Sequence, residues 1–485
     1  MTINSILDKA KYDNWKTTHN FENCKLQRKE YGEFLSNYLV GERNGFVLNL
    51  NGSWGAGKTE FLKRMYTHLL QEKHPVIYID AWESDFSKEP LTVITSELLT
   101  QIELFNNGIG SQENTKRLKQ FLGKVLKSTA VGVAGYASKK YLDDSTIGSN
   151  AMMNFFDENP TDFMKQLTSE YSQQIEAITK IRECLSQLAE VLKKNYGAEI
   201  PVVVLVDELD RCRPTYAIEM LEVIKHFFKT DNFVFLVATD TDQLSHSINA
   251  VYGHNFDSKQ YLKKFFDRKA TLPSPNIESY LDASGIDYNQ YKELILFPKL
   301  CQGSIASSIN KTVSLLSIGY DLHIRDIDQL MNKFQSCLRS ANDNFDKTKN
   351  KQYINFPALL IGLIEQDKSQ SVYNERTKYY SPEPSLSNPH YSISEDFLLT
   401  DFIRQSINNI TYSKSMSTNS WGQPEAKYSL PSHSTLNSLL TNATEEYYAF
   451  INDSISKMQF DGKNGCKYWN WDDMKRVIEL AGTLE

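Results

Sequence analysis

FVLNLNGSWGAGKTEFLKRM, residues 46–65, is the stretch whose reading decides the fold. Phe46 to Leu50 suit a buried strand, and Gly52-Ser53-Trp54-Gly55-Ala56-Gly57-Lys58-Thr59 fits the phosphate-loop pattern G-x-x-x-x-G-K-[ST] at every fixed position. Phe61, Leu62 and Met65 then recur at helical spacing, so the pattern stands between a strand and a helix, where phosphate binding requires it. The glycines let successive backbone N–H groups turn inward around a phosphate, and a helix beginning beside Lys58 adds the positive end of its dipole. Lys58 is expected to reach the β- and γ-phosphates, and the Thr59 hydroxyl to ligate Mg2+. The alternative is a glycine turn that binds nothing; the strand and helix flanks argue against it.

Downstream, VIYIDAW (76–82) reads as a second strand, with Trp82 as a core aromatic, and 84–105 reads as helical. PVVVLVDELDRCRP (201–214) opens with an apolar run fit for a strand buried on both faces, with Asp207 and Glu208 at its carboxyl end. A helix around Ile218, Leu221, Ile224 and Phe228 leads to another buried strand, FVFLVATD (233–240). Strand, helix and strand in alternation imply an α/β fold, a parallel sheet with helices on both faces, whose ligands sit at the carboxyl ends of the strands. The phosphate loop and Asp207 then share one rim.

A Mg2+-dependent hydrolase needs a carboxylate for the metal's shell and a second one to polarise water. Side chains alternate along a strand, so Asp207 is expected to face Lys58 and Thr59 while Glu208 reaches toward the γ-phosphate. For the charge that develops on the transferred phosphoryl group the candidates are Arg211, Arg213, Lys264 and Arg268, each with a surface salt bridge as its alternative. In YDLHIRDIDQLMNKFQ (320–335), Ile324, Ile327, Leu330, Met331 and Phe334 share one helical face and leave Arg325 off it. Arg325 is therefore the candidate sensor on a helical lid, against a solvated helix residue.

Upstream, residues 1–45 form a lead-in and then a helix with Tyr31, Phe34, Leu35 and Leu39 on its apolar face. The start has no apolar core behind a basic end, which argues against a signal peptide, and the longest apolar runs, such as 356–364, are too short to span a bilayer. Residues 116–140 carry seven Lys and Arg without an acid around a small-residue run, 128–137. This segment reads either as a helix packed on its own protein or as one lying on an anionic membrane surface or a partner. From Phe163, apolar positions step by three and four to Leu192 and stop at Asn195-Tyr196-Gly197, one long amphipathic helix. Residues 366–396 and 411–437 read as long polar loops, and the last fifty return to helical patterning with Trp469 and Trp471.

The 485 residues suffice for two or three domains, divided here as 1–45, a core over 46–275 with a helical insertion at about 105–197, a lid over 276–340 and a variable helical region over 341–485. A net charge of −7 gives no broad basic surface, so nucleic acid is not indicated. Six scattered cysteines form neither a zinc pattern nor a disulfide framework, which fits a reducing cytoplasm.

Four pieces together, NGSWGAGKT, YIDAW, VDELDRC and YLKKFFDRKATLP, resemble the KAP family of P-loop NTPases across about residues 25–335. The resemblance implies an ASCE-type core in which Gly52, Gly57, Lys58 and Thr59 bind the phosphates and Mg2+, Asp207 holds the metal and Glu208 activates water. Thr239-Asp240, at the polar end of the next strand, would then sense the γ-phosphate. Many members carry transmembrane helices between the phosphate loop and the acidic strand; the run 128–137 stands there but is too short. Some bacterial members take part in excluding phages or plasmids. The leading expectation is an ATP-driven switch that assembles with copies of itself and meets a protein partner through 341–485, cytoplasmic or peripheral at the inner membrane. Alternatives are a P-loop kinase acting on a metabolite and a nucleotide-binding scaffold without turnover. ATP is favoured over GTP because Asn310-Lys311-Thr312-Val313 and Asn332-Lys333-Phe334-Gln335 both lack the aspartate of the guanine-reading N-K-x-D motif.

Overall fold

The computed structural model of the chain describes residues 9–106, 178–298, 304–429 and 467–483, short gaps within those spans apart. The basic stretch 116–140 and the first half of the long helix expected from Phe163 lie outside the described residues. The chain forms two units, Met1–Ser274 and Pro275–Glu485.

The first unit is built on a parallel sheet of β1 (Val47–Asn51), β2 (Val76–Asp80), β3 (Val202–Asp207), β4 (Phe233–Thr239) and β5 (Arg268–Thr271). Their spatial order is β2-β3-β4-β1-β5, every neighbouring pair parallel. The period of two along each strand sorts the core into two layers. Val47, Ile77, Ile79, Val202, Val204, Val206, Phe235 and Val237 pack on one face with residues of the helices Pro90–Asn106, Pro214–Phe227 and Thr241–Tyr252. Leu48, Leu50, Val203, Leu205, Val234 and Leu236 pack on the other with the helices Lys29–Gly41 and Lys58–Gln71. Because helices cover both faces, β3 and β4 are apolar almost without interruption, which is why they are plain in the sequence.

Register aligns Asn51 of β1 with Thr239 of β4 and with Thr271 of β5, and Asp80 of β2 with Asp207 of β3. The carboxyl ends therefore form one rim. β4 lies between β1 and β3, so the phosphate loop and the acidic end stand two strand spacings apart, about 10 Å.

Helix Lys29–Gly41 buries Leu35 and Leu39 but not Phe34, which is 64% exposed. Leu35 and Leu39 set the buried stripe and Phe34 falls outside it, so its place on the expected apolar face is corrected. The described end of the long helix buries Ile178, Ile181, Leu185 and Leu192, and Gly197 beyond it takes φ 72°, a left-handed stop.

In the second unit, the helix Phe356–Lys368 is buried on every side from Phe356 to Glu365. Helices Ile305–Tyr320, Ile324–Thr348, Leu399–Asn408 and Trp471–Ala481 pack around it. Its all-round apolar sequence is thus the mark of a central helix. A small parallel sheet, β6 (Leu294–Phe297), β7 (Gln352–Asn355) and the strand Lys467–Tyr468, lies in the same unit with β7 in the middle. Helix Ile324–Thr348 runs through residue 340. The stretch 411–437, expected as loop, instead contains an antiparallel ribbon in which Ser413–Thr418 pairs with Pro424–Ser429. A two-stranded ribbon is held by backbone hydrogen bonds and needs no apolar run, so its polar sequence hides it. Among the described residues no helix is long and apolar enough to cross a membrane.

Candidate functional site

The loop after β1 turns on its glycines. Gly55 and Gly57 take φ 82° and 83°, a region that favours glycine, and a Cβ at Gly52 would stand 3.3 Å from Lys58 Cγ. Three outside groups hold the turn. Buried Arg28 donates from Nη1 to Ala56 O at 2.8 Å and from Nη2 to Pro273 O at 2.7 Å; burial lowers its pKa to about 10. Trp54 N donates to Asp240 Oδ2 at 3.0 Å, and Gly52 N donates to Thr239 O at 3.1 Å. Lys58, the first residue of the following helix, donates from Nζ to Gly52 O at 2.8 Å and stands 3.4 Å from Asp210 Oδ2.

Across β4, Asp207 closes β3 almost fully buried. Its Oδ2 accepts from Tyr78 Oη at 2.9 Å and its Oδ1 from Glu208 N at 2.9 Å. Burial pushes its carboxyl up to about 6, opposed first by the hydrogen bond from Thr59. Glu208 leaves the extended region for φ 60°, ψ 20°, a left-handed conformation that costs a residue with a Cβ about 1 kcal/mol. The expected strand alternation therefore ends at Asp207: Glu208 turns back over the loop, and Thr59 Oγ1 donates to its Oε1 at 2.7 Å. The structure brings Glu208 to Thr59, with Asp207 next to it at the end of β3, and gives Lys58 a different carboxylate, Asp210. Lys58 thus faces Asp210 and not the expected Asp207.

Arg211 is ion-paired through Nε with Glu208 Oε2, and its guanidinium carbon lies 5.9 Å from the Trp54 ring and 5.8 Å from the Trp82 ring. Trp82, expected in the core, is 54% exposed. β2 stops at Asp80, whose Oδ1 accepts from Trp82 N and Glu83 N and starts a short 3-10 turn that carries the indole outward. Arg213 is tied to Asp85, Nε to Oδ1 at 3.0 Å. Asp240 combines its bond to the loop with the N-cap of helix Thr241–Tyr252, accepting from Asp242 N and Gln243 N. Arg268 enters β5 in register with Leu48 at the opposite, amino end, about 10 Å of strand away from the loop. Arg325 lies exposed in the first turn of helix Ile324–Thr348, in the second unit.

Arg28, Tyr78 and Asp210 were not singled out in the sequence. Asp210 stood inside the DELDRC piece and Tyr78 opens the YIDAW piece, so both could have been found there; Arg28 offers no local pattern.

The donors fit the groups that the sequence suggests. Mg2+ takes hard oxygen ligands in small number and leaves the rest to water and phosphate; Thr59, Asp207 and Glu208 supply such oxygens. Among the described residues no larger cluster of metal-binding side chains occurs. The glycine turn, with Lys58 inside it, fits a polyphosphate.

No curated protein is similar enough in sequence to count as a match. The model of the KAP family P-loop domain matches residues 28–341, from Arg28 behind the loop to a point inside the helix Ile324–Thr348, and more than half of the chain. With the glycine turn, the lysine and the acidic strand end assembled on one rim of a parallel sheet, the chain belongs to the KAP family of P-loop NTPases.

Proposed function

We propose that the protein binds ATP with Mg2+ and hydrolyses it, and that the cycle works as a molecular switch. The observation that carries this reading is the hydrogen bond of Thr59 to Glu208, next to the strand-end Asp207 and beside Lys58 and its glycine turn. Of the turn residues Gly52 to Gly57, Ser53, Gly55 and Gly57 present backbone N–H groups to the phosphates, while Gly52, Trp54 and Ala56 line the cradle with their N–H groups tied to Thr239 O, Asp240 Oδ2 and Ser53 O; Lys58 adds a positive charge inside the turn. Thr59 and Asp207 would hold the metal. Bound Mg2+ would supply neutralisation of the phosphate charge. Glu208 takes the proton of the attacking water; for this it gives up one of its two present partners, Thr59 or Arg211. Arg211, freed from Glu208, or Arg268 from a second copy supplies the arginine charge. Asp240 reports the filled loop through Trp54 N, and Arg325 acts as the lid's sensor.

A general base beside the metal ligand favours water over a metabolite hydroxyl as nucleophile, which sets hydrolysis ahead of a kinase reaction. Glu208→Gln is the test: ATP binding retained within about threefold and turnover lowered by at least a hundredfold. Equal turnover in the variant would sink the assignment. The family resemblance extends the proposal to self-assembly and to exclusion of phages. Phage challenge of cells carrying wild-type protein or Lys58→Ala checks it, with protection expected only for the wild type.

A further inference from the structure

We infer that Tyr78 is a positioning residue for Asp207 and that Gln101 fixes Tyr78 for this task; the inference rests on reading Asp207 as a metal ligand. Among the described residues β2 is the outermost strand on its side of the sheet, and no strand among them pairs with the outer side of its backbone. At Tyr78 a side chain closes that side. Tyr78 N donates to Gln101 Oε1 at 3.0 Å, and Gln101 Nε2 donates to Tyr78 O at 2.6 Å. One amide group thus supplies the two bonds a neighbouring strand would have made.

Gln101 is buried and anchored in turn. Its Nε2 also donates to Glu97 Oε2 at 2.8 Å, and the same oxygen receives Lys11 Nζ at 2.8 Å. The Tyr78 ring is held edge-on by Trp15 and Tyr12, at centroid distances of 5.0 and 5.5 Å. Tyr78 is in register with Leu205, so its ring lies on the face that carries Leu205 and, two residues on, Asp207.

With backbone and ring both fixed, the phenol delivers its hydrogen to Asp207 Oδ2, while Glu208 N takes Oδ1. The two bonds leave the carboxylate one orientation, toward Thr59. Without the phenol hydroxyl the ring still fills its place, but the carboxylate is free to rotate about its last bond. Partners that orient a ligating carboxylate typically govern metal affinity by one to two powers of ten.

The experiment is calorimetric binding of ATP to Tyr78→Phe across a Mg2+ titration and in its absence. Half-saturating Mg2+ is expected to rise roughly tenfold, with affinity for metal-free ATP within about twofold of wild type. Gln101→Leu, which keeps the phenol but removes its anchor, should shift the Mg2+ midpoint in the same direction by less. It is judged by the same criterion if Tyr78→Phe does not fold. At saturating Mg2+ turnover should return to near the wild-type rate, a recovery that loss of packing would not give. A folded Tyr78→Phe with the wild-type Mg2+ midpoint overturns this inference alone. Wild-type ATP binding that ignores Mg2+ overturns it together with the metal role of Asp207.

Discussion

Replacing Lys58 by alanine removes the ammonium that stands inside the glycine turn, 2.8 Å from Gly52 O. ATP affinity measured by calorimetry is expected to fall by at least tenfold, about 1.4 kcal/mol. Arg28→Ala acts from behind the same turn. It removes two charge-assisted hydrogen bonds, to Ala56 O and Pro273 O, and should lower stability by about 2 kcal/mol in denaturant unfolding and weaken ATP binding as well. His74 governs a pH effect. Its ring is buried, with Nδ1 3.0 Å from Pro201 O, and burial lowers its pKa below the ordinary 6.5. The folded state therefore prefers the neutral ring, so the stability His74 contributes is present above 6.5 and lost as pH falls below it. Asp207 works in the opposite sense. Its pKa is raised to about 6, so the folded state binds that proton more tightly and its contribution declines as pH rises from 3.8 through 6. Melting curves at pH 7.5 and 5.5 for wild type and His74→Gln separate the two: the variant should lose less stability on acidification. Gly52 to Thr59 were legible in the sequence because the chemistry of that turn is local. Arg28 was not, because it acts through a partner far along the chain, Ala56; Tyr78 stood in the YIDAW piece, but its partner Asp207 lies on another strand and left its task unread.

Among the elements, the central helix Phe356–Lys368 carries an ion pair that fixes its far end. Glu365 receives Arg376 Nε at 2.9 Å and Nη2 at 2.7 Å, and also Tyr320 Oη at 3.3 Å, all buried. Arg376 O accepts from Trp471 Nε1 at 3.0 Å, so the same residue ties down the last helix. Arg376→Met would leave buried Glu365 without its ion pair, with Tyr320 Oη still bonded to it, in a surround where burial already raises its pKa. A loss of about 3–5 kcal/mol in the unfolding of this unit is expected, followed by thermal melting. Strands β1 to β4 were legible because burial on both faces demands apolar runs. Three features were not. The ribbon of Ser413–Thr418 and Pro424–Ser429 has no such demand, Phe34 was misplaced by one step on its helix, and Glu208 left the strand's alternation at the point where the backbone turned left-handed.

For the molecule as a whole, each unit has its own hydrophobic core: two layers about the five-stranded sheet in Met1–Ser274, and one around the central helix in Pro275–Glu485. A fragment ending at Ser274 contains Arg28, the glycine turn, Asp207, Glu208 and Asp210, and lacks Arg325. It is expected to melt cooperatively and to bind ATP within about tenfold of the full chain's affinity, with turnover reduced if Arg325 serves as the sensor proposed above. Calorimetry and a turnover assay on the fragment check both halves of that expectation. Among the described residues, Trp15, Trp469 and Trp471 are buried while Trp54 and Trp82 are 57% and 54% exposed, each with its ring near the Arg211 guanidinium. The molecule thus carries a built-in optical probe at the mouth of its phosphate turn. Acrylamide should quench these two indoles ahead of the buried ones, and occupancy beside Trp54 should register as a change in the colour and intensity of ultraviolet emission with no label attached.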